Sequence, residues 1–351
     1  MRNRREDVTR NLLLAATGVV CAGAYAWCSS ALTKRLLSRL RGKVVLITGS
    51  SRGLGLALAE EFGRAGAKLV LTARDPEQLE RAGAVLLARH AVTSSDDVVA
   101  FAADLREPDK AERLIERATA HFGRIDILVN NAGIITVGPV ENQTLKDFRD
   151  VMDANFFAGL HCTLAVLPQM LMRGEGGIVN ITSIGGKVAV PHLLPYTASK
   201  FAAVGFSEGL NAELRSKGIR VTTVCPGLMR TGSHRSALFS GDAEREYRWF
   251  SLGAALPGAS ISARSAARKI VRAAAAGANE ISITPQAIIA ARLNGVAPTV
   301  VMTAMRLMNA LLPAPSQESW APRRGTEVRQ KEIKPAVVLG EAAARRYNQI
   351  A

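Results

Sequence analysis

The stretch KVVLITGSSRGLGLALAEEFGRAG, Lys43 to Gly66, decides the fold. KVVLIT (43–48) is a short apolar run that reads as a buried strand. LGLALAEEFGRAG (54–66) reads as a helix closed by Gly66. Between them the chain turns through Thr48-Gly49-Ser50-Ser51-Arg52-Gly53-Leu54-Gly55. Glycines permit a tight turn and let a phosphate approach the backbone. The helix behind them offers unpaired N–H groups and a positive dipole end. The spacing is G-x-x-x-G-x-G rather than the commoner G-x-G-x-x-G. Taken alone such a turn is structural; between a strand and a helix it signals a nucleotide.

Working outward, the same alternation continues. Strand-like runs fall at 68–74, 98–104, 125–132, 176–183, 219–227 and 281–284. Helical runs fall between them, at 76–90, 108–122, 145–173, 195–216 and 262–277. Seven strands alternating with helices imply an α/β, Rossmann-type, doubly wound parallel sheet over residues 42–285. Such sheets bind ligands beyond the carboxyl ends of their strands. The second strand ends Thr72-Ala73-Arg74-Asp75. An acid at that point suits a ribose hydroxyl and an arginine suits a 2′-phosphate. Arg74, helped by Arg52, favours NADP(H), with Asp75 starting the next helix; the bland alternative is two surface arginines.

The 351 residues carry a net charge of +15. Residues 1–43 hold nine Lys/Arg against two acids, and residues 323–351 hold seven against three. The basic excess thus lies at the two ends, without a nucleic-acid reading module, and anionic lipid is the better partner. Four cysteines, Cys21, Cys28, Cys162 and Cys225, match no zinc pattern and are too few for a disulfide framework. From Asn11 to Thr33 there is no charge, which is long enough to span a bilayer. A single membrane anchor (within residues 1–41) is the favoured reading. A cleaved signal, with Ala24-Tyr25-Ala26 as its site, and a helix on the protein or membrane surface stand beside it. The following ALTKRLLSRLR has the look of an interfacial basic helix.

Tyr196 and Lys200, four residues apart in LPYTASKFAAVGF (194–206), share one face of a predicted helix. Most such pairs are a packed ring and a solvated amine. The ordered motifs around this pair change its weight. T-G-x-x-x-G-x-G at 48–55, Asp104-Leu105, N-N-A-G at 130–133, Asn155, Ser183, Y-x-x-x-K at 196–200 and P-G-x-x-x-T at 226–231 resemble the short-chain dehydrogenase/reductase family. The resemblance covers about residues 42–285.

It implies a catalytic set of Asn155, Ser183, Tyr196 and Lys200. Tyr196 is then the acid/base and Lys200 lowers its pKa and holds the nicotinamide ribose. Ser183 donates to the substrate oxygen, and Asn155 orders a proton-relaying water. It implies cofactor contacts from Gly49, Ser51, Arg52, Gly53, Leu54, Gly55, Arg74, Asp104, Leu105, Asn131, Ala132, Gly133, Tyr196, Lys200, Pro226, Gly227 and Thr231. Asn131 mainly ties strands together.

Segment 232–260 stands where the family has a substrate lid. Leu238, Phe239, Trp249, Phe250 and Leu252 supply apolar surface there, and Pro191, His192, Leu193 and Leu194 supply the opposite wall. His192 and His234 read as rim residues. The pattern favours an apolar ketone or alcohol. Residues 286–313 form a helical pair broken near Pro298, for packing over the substrate mouth, docking on membrane or joining a homodimer, with plain core packing as the bland alternative. Residues 314–351, charged and proline-bearing, read as a loose tail. The expected protein is an anchored NADP(H)-dependent reductase or dehydrogenase facing the cytosol. Beside it stand a soluble 3-oxoacyl or sugar-type reductase and a non-catalytic NADP-binding regulator.

Overall fold

The computed structural model describes residues 31–255, 260–316, 321–328 and 338–349. Seven parallel strands form the central sheet: β1 (Val44–Thr48), β2 (Lys68–Ala73), β3 (Val98–Ala102), β4 (Ile127–Asn130), β6 (Gly176–Ile181), β7 (Ile219–Cys225) and β11 (Glu280–Ser282). Their order is β11-β7-β6-β4-β1-β2-β3. Every residue of β1 is buried, as a strand covered on both faces requires. Leu46 lies opposite Val70 on one side and Leu128 on the other.

Helices cover both faces. α2 (Gly53–Arg64), α3 (Pro76–Ala88) and α9 (Ala263–Ala276) bury Leu56, Phe62, Leu79 and Ile270 against one face. α4 (Pro108–Phe122), α6 (Ala158–Arg173) and α7 (Leu194–Leu214) bury Leu114, Val166 and Leu214 against the other. The chain leaves β1 toward β2 and β3, then returns to place β4 on β1's opposite side. That reversal opens a crevice beyond the ends of β1 and β4.

The predicted single helix over 145–173 is continuous but not uniform. α5 (Leu145–Met152) passes through a π turn, Asp153–Phe157, into α6. By length and composition this run qualifies as a membrane span, yet Cys162, Val166 and Met170 are buried in the sheet's core. Of the uncharged stretch 11–33, only residues 31–33 lie within the described residues. The helix α1, residues 31–38, corrects one expectation. Leu36, Leu37 and Leu40 pack on the core beside α2 while Lys34, Arg35, Arg39 and Arg41 are exposed. Its apolar side is thus partly covered by protein: Leu40 is buried and Leu36 and Leu37 are half-buried, while Leu32 stays exposed.

Past β7 the lid is built from β8 (Leu228–Arg230), β9 (Leu238–Phe239) and α8 (Ala243–Ala255). β8 pairs with β10 (Ser260–Ser262), and β9 lies between β5 (Thr136–Val137) and β12 (Arg323–Arg324). α10 (Pro285–Val296) and α11 (Pro298–Asn309) are the expected pair, broken at Ala297. They leave Ile289, Val296 and Leu307 exposed, and Leu311 just beyond α11 is exposed as well.

The loose-tail expectation for 314–351 needs correcting where the chain is described. β12 joins the lid sheet, and α12 (Val338–Arg346) carries Ala344 and Tyr347 into the core. The Tyr347 ring lies between the guanidinium groups of Arg89 and Arg346, 5.8 and 5.7 Å from its centre. Composition alone misjudged this segment because two or three apolar anchors are enough to seat it.

Candidate active site

Thr48 ends β1, and its hydroxyl accepts from the N–H groups of Asn131 and Ala132, both at 2.9 Å. Asn131 answers by donating its amide to the carbonyls of Thr48 and Gly49, at 2.9 and 3.1 Å. These bonds tie β4's exit to the glycine loop, the strand-tying role read for Asn131. The loop is packed too tightly for side chains. A Cβ on Gly55 would stand 2.1 Å from the Gly49 carbonyl oxygen. Gly49 itself takes φ +62, and a Cβ there would meet the Ala132 Cα at 2.9 Å.

The start of α2 has no side-chain cap and no acid in its first turn. Apart from the Gly53 N–H, which donates to the Tyr347 carbonyl at 2.8 Å, that positive end suits a phosphate. The contrast with α3 is direct. There Asp75 caps the helix, accepting from the Gln78 N–H at 3.1 Å, as the sequence indicated.

Every residue read as cofactor-binding, from Gly49 to Thr231, lines one cavity of about 910 Å³. Arg52 and Arg74 are on its wall and form no ion pair among the described residues. Asp104 also faces the cavity but is held by Arg106, at 2.9 Å from its Nε. That bond draws the Asp104 carboxyl below its ordinary pKa.

Further along the same wall stand Ser183, Tyr196 and Lys200. Ser183 follows β6, and its Oγ accepts from the Gly185 N–H at 3.0 Å. Its hydroxyl proton is therefore free to point elsewhere. Tyr196 begins α7. Burial pushes its phenol above the ordinary value, and hydrogen bonding with Ser183 draws it partly back. Lys200 lies one turn on, its Nζ donating to the Ile181 carbonyl at 3.0 Å. Burial lowers the Lys200 ammonium to about 8. In the protein alone, then, burial outweighs any depression of the Tyr196 pKa by Lys200.

Asn155 is not on the cavity wall. It sits in the π turn behind Lys200. Its amide donates to the Ile134 carbonyl and to Ser199, and its Oδ1 accepts from the Ile134 N–H at 2.7 Å. The side chain is fully committed to bracing the loop after β4. Breaks of this π type recur at functional sites because they release backbone carbonyls from the regular ladder.

On the substrate side, Trp249, Phe250, Leu193 and Val190 line the cavity. Leu238 and Phe239 do not; they are consumed by the lid's own sheet and core. Leu194 and Leu252 turn outward to solvent. His192 and His234 are not rim residues but buried. His192 Nδ1 lies 2.7 Å from Glu246 Oε1, and the Trp249 indole N–H donates to Glu246 Oε2 at 2.5 Å. This fully buried carboxylate fastens the lid to the loop preceding Tyr196. Met308 of α11 also reaches the cavity, and so do Arg324 and Gln349. Met308 is in keeping with the reading that places the 286–313 pair over the substrate mouth; the sequence offered no signal for Arg324 and Gln349, which come from a segment far away along the chain.

Residues 43–238 match the family model described as short chain dehydrogenase. A "dehydrogenase/reductase SDR family protein 7-like" from Anopheles gambiae is 36% identical over 274 residues, 78% of this chain and 85% of that protein. "Dehydrogenase/reductase SDR family member 7B" of Mus musculus is 38% identical over 204 residues, 56% of this chain and 62% of that protein. "11-beta-hydroxysteroid dehydrogenase 1A" of Arabidopsis thaliana is 38% identical over 206 residues, 58% of this chain and 57% of that protein. The last two alignments span less than two thirds of those relatives. Among solved structures, a short-chain dehydrogenase from Streptomyces avermitilis superposes with a TM-score of 0.65 at 30% identity, covering 77% of this chain and 97% of that one.

Proposed function

The chain belongs to the short-chain dehydrogenase family, and from that premise we propose that it interconverts an apolar ketone and a secondary alcohol using NADP(H). The family uses nicotinamide cofactors. One observation carries the reading: the glycine loop, Ser183, Tyr196 and Lys200 open onto a single cavity.

When bound, the dinucleotide supplies or accepts the hydride. The protein's residues handle position and protons. Ser183 donates to the substrate oxygen and stabilises the charge that develops there. Tyr196, a phenol and so protonated at neutral pH, gives its proton to that oxygen during reduction. Lys200 sets the field around the phenol and holds the cofactor ribose. With its side chain engaged by Ile134 and Ser199, Asn155 serves the proton exchange of Lys200 with water through its backbone carbonyl in the π turn.

Support for NADP(H) comes from Arg52 and Arg74 on the cavity wall. Support for an apolar substrate comes from Trp249, Phe250, Leu193 and Met308 and from the hydroxysteroid dehydrogenase name of one relative. Membrane attachment is part of the proposal, resting on the uncharged run 11–33 between basic flanks, with the catalytic domain on the cytosolic side. Retention in the pellet after a carbonate wash tests it; release would remove the anchor. Oxidation of NADPH with a panel of apolar ketones tests the activity. Binding of NADPH without turnover of any ketone would favour a regulator instead.

A further inference from the structure

The cavity's outer wall comes from the C-terminal segment, far from the glycine loop in sequence. Arg324 is held there by backbone. Its strand pairs with β9 in register with Leu238. The Gly325 N–H donates to Ala237 O at 2.9 Å and the Thr326 N–H to Arg235 O at 3.1 Å. Glu327 closes the turn by accepting from the Arg324 N–H at 3.1 Å. Gly325 runs so close to the lid that a Cβ would stand 2.1 Å from His234 O. Arg324 is thus fixed to the lid side of the cleft, beside Ser233 and Ser236 on the cavity wall.

Across the cleft is Arg52. Burial first, then the positive field of Arg324, then that of Arg74, hold its pKa below the ordinary value, against the opposing pull of Asp75. Among the described residues none of the three arginines forms an ion pair. Asp75 and Asp104 share that wall but are engaged by Gln78 and Arg106, so the three like charges still repel one another, and an anion placed among them relieves the repulsion.

Two anions are distinguishable by position. Arg74 marks the end of β2, where the 2′-phosphate belongs. Arg324 marks the lid side, facing the start of α2, where a diphosphate belongs. One donor of the loop is already spent: the Gly53 N–H is bound to Tyr347 O at 2.8 Å. The Gln349 amide lies over the same glycine, 2.7 Å from where a Cβ would be, and accepts from Ser236 Oγ at 2.8 Å.

We infer that Arg324 is a cofactor-binding residue contributed by the C-terminal segment, and that it holds the diphosphate of the dinucleotide. This rests on the dinucleotide reading of the site. Arg324 supplies positive charge where the loop has given up a backbone donor.

The test is an equilibrium titration of the full chain, read by quenching of tryptophan fluorescence, since Trp249 lines the cavity. NADPH and NADH are titrated separately into the wild type, Arg324→Ala, Arg324→Lys and Arg74→Ala. Arg324→Ala weakens both cofactors by a similar factor, roughly tenfold for one charge-assisted contact. Arg324→Lys recovers most of that loss, and Arg74→Ala weakens NADPH alone. Unchanged affinities in Arg324→Ala overturn the inference. So does a loss confined to NADPH, which moves Arg324 to the 2′-phosphate. A fall in the melting temperature of unliganded Arg324→Ala also overturns it, assigning the residue to the fold. Failure of the wild type to bind either cofactor defeats the dinucleotide reading instead.

Discussion

Lys200 carries its Nζ 5.7 Å from the centre of the Tyr196 ring, with both residues facing the same cavity. The pair is close enough for the lysine's charge to act on the phenol. Tyr196→Phe removes the proton donor and keeps the ring. Turnover falls about 10²–10⁴-fold, the usual contribution of a positioned acid, while cofactor affinity stays unchanged. Steady-state rates and a cofactor titration check both halves; near-normal turnover would take Tyr196 out of the mechanism.

Burial of Lys200 has a signed effect on stability. Its folded pKa of about 8 lies below the ordinary 10.5. Between those values the unfolded chain binds more protons than the folded one, so this group's contribution to stability rises with pH across that window. Below about pH 8 the cost of holding the ammonium in the core is fully present. Lys200→Met therefore raises the melting temperature of the cofactor-free protein at pH 7, flattens its rise between pH 8 and 10.5, and abolishes turnover. Thermal melts against pH decide it; an unshifted profile means the ammonium is not desolvated.

Two glycines to alanine separate crowding from flexibility. Gly55→Ala forces a Cβ against the Gly49 carbonyl, costs about 1–3 kcal/mol or more and eliminates cofactor binding. Gly83→Ala, inside α3 with open space around it, stabilises by about 0.5–1 kcal/mol and leaves binding alone. Denaturant melts of the two variants have opposite signs.

Cofactor choice is tested at Arg52 and Arg74 together. Replacing both with alanine weakens NADPH by about a hundredfold, since each charge-assisted contact is worth about 1.5–3 kcal/mol and the two sites overlap. NADH changes far less. A wild-type preference for NADH would sink the assignment.

The lid's fastening is tested at Glu246. Glu246→Ala leaves buried His192 and the partly buried Trp249 indole without their acceptor, at a cost of about 1–3 kcal/mol for a donor left unpaired. With the lid loosened from the loop before Tyr196, KM for ketones rises more than kcat falls. A pure kcat effect would place Glu246 nearer the chemistry.

Most of the frame could be read in the residues because it is local. Apolar runs bounded by glycines marked the strands, Asp75 marked the start of α3, and the glycine loop lies between β1 and α2 as its spacing required. Ser183, Tyr196 and Lys200 converge because each sits at the end of an element the alternation had already placed. What escaped reading is non-local. Glu246 meets His192 only through the fold of the lid, and Leu238 and Phe239 were drawn from the substrate wall into that same fold. The π turn at Asn155 has no spacing signature. The C-terminal segment misled because its charge and prolines outweigh, in composition, the burial of Ala344 and Tyr347 that seats it.

The bond between Gly53 and Tyr347 bears on assembly. Asn348, the next residue, is 297 positions from its partner Ser51. Contacts of such separation close late, after the nearby ones have paid the cost of ordering the chain. The sheet and the Ser183, Tyr196 and Lys200 trio are encoded upstream, so a nascent chain makes them first. The turn around Gly53 acquires its last partners only once residues 347–349 have emerged. A polypeptide interrupted between 313 and 347 would carry the chemistry and lack the clasp on the glycine loop.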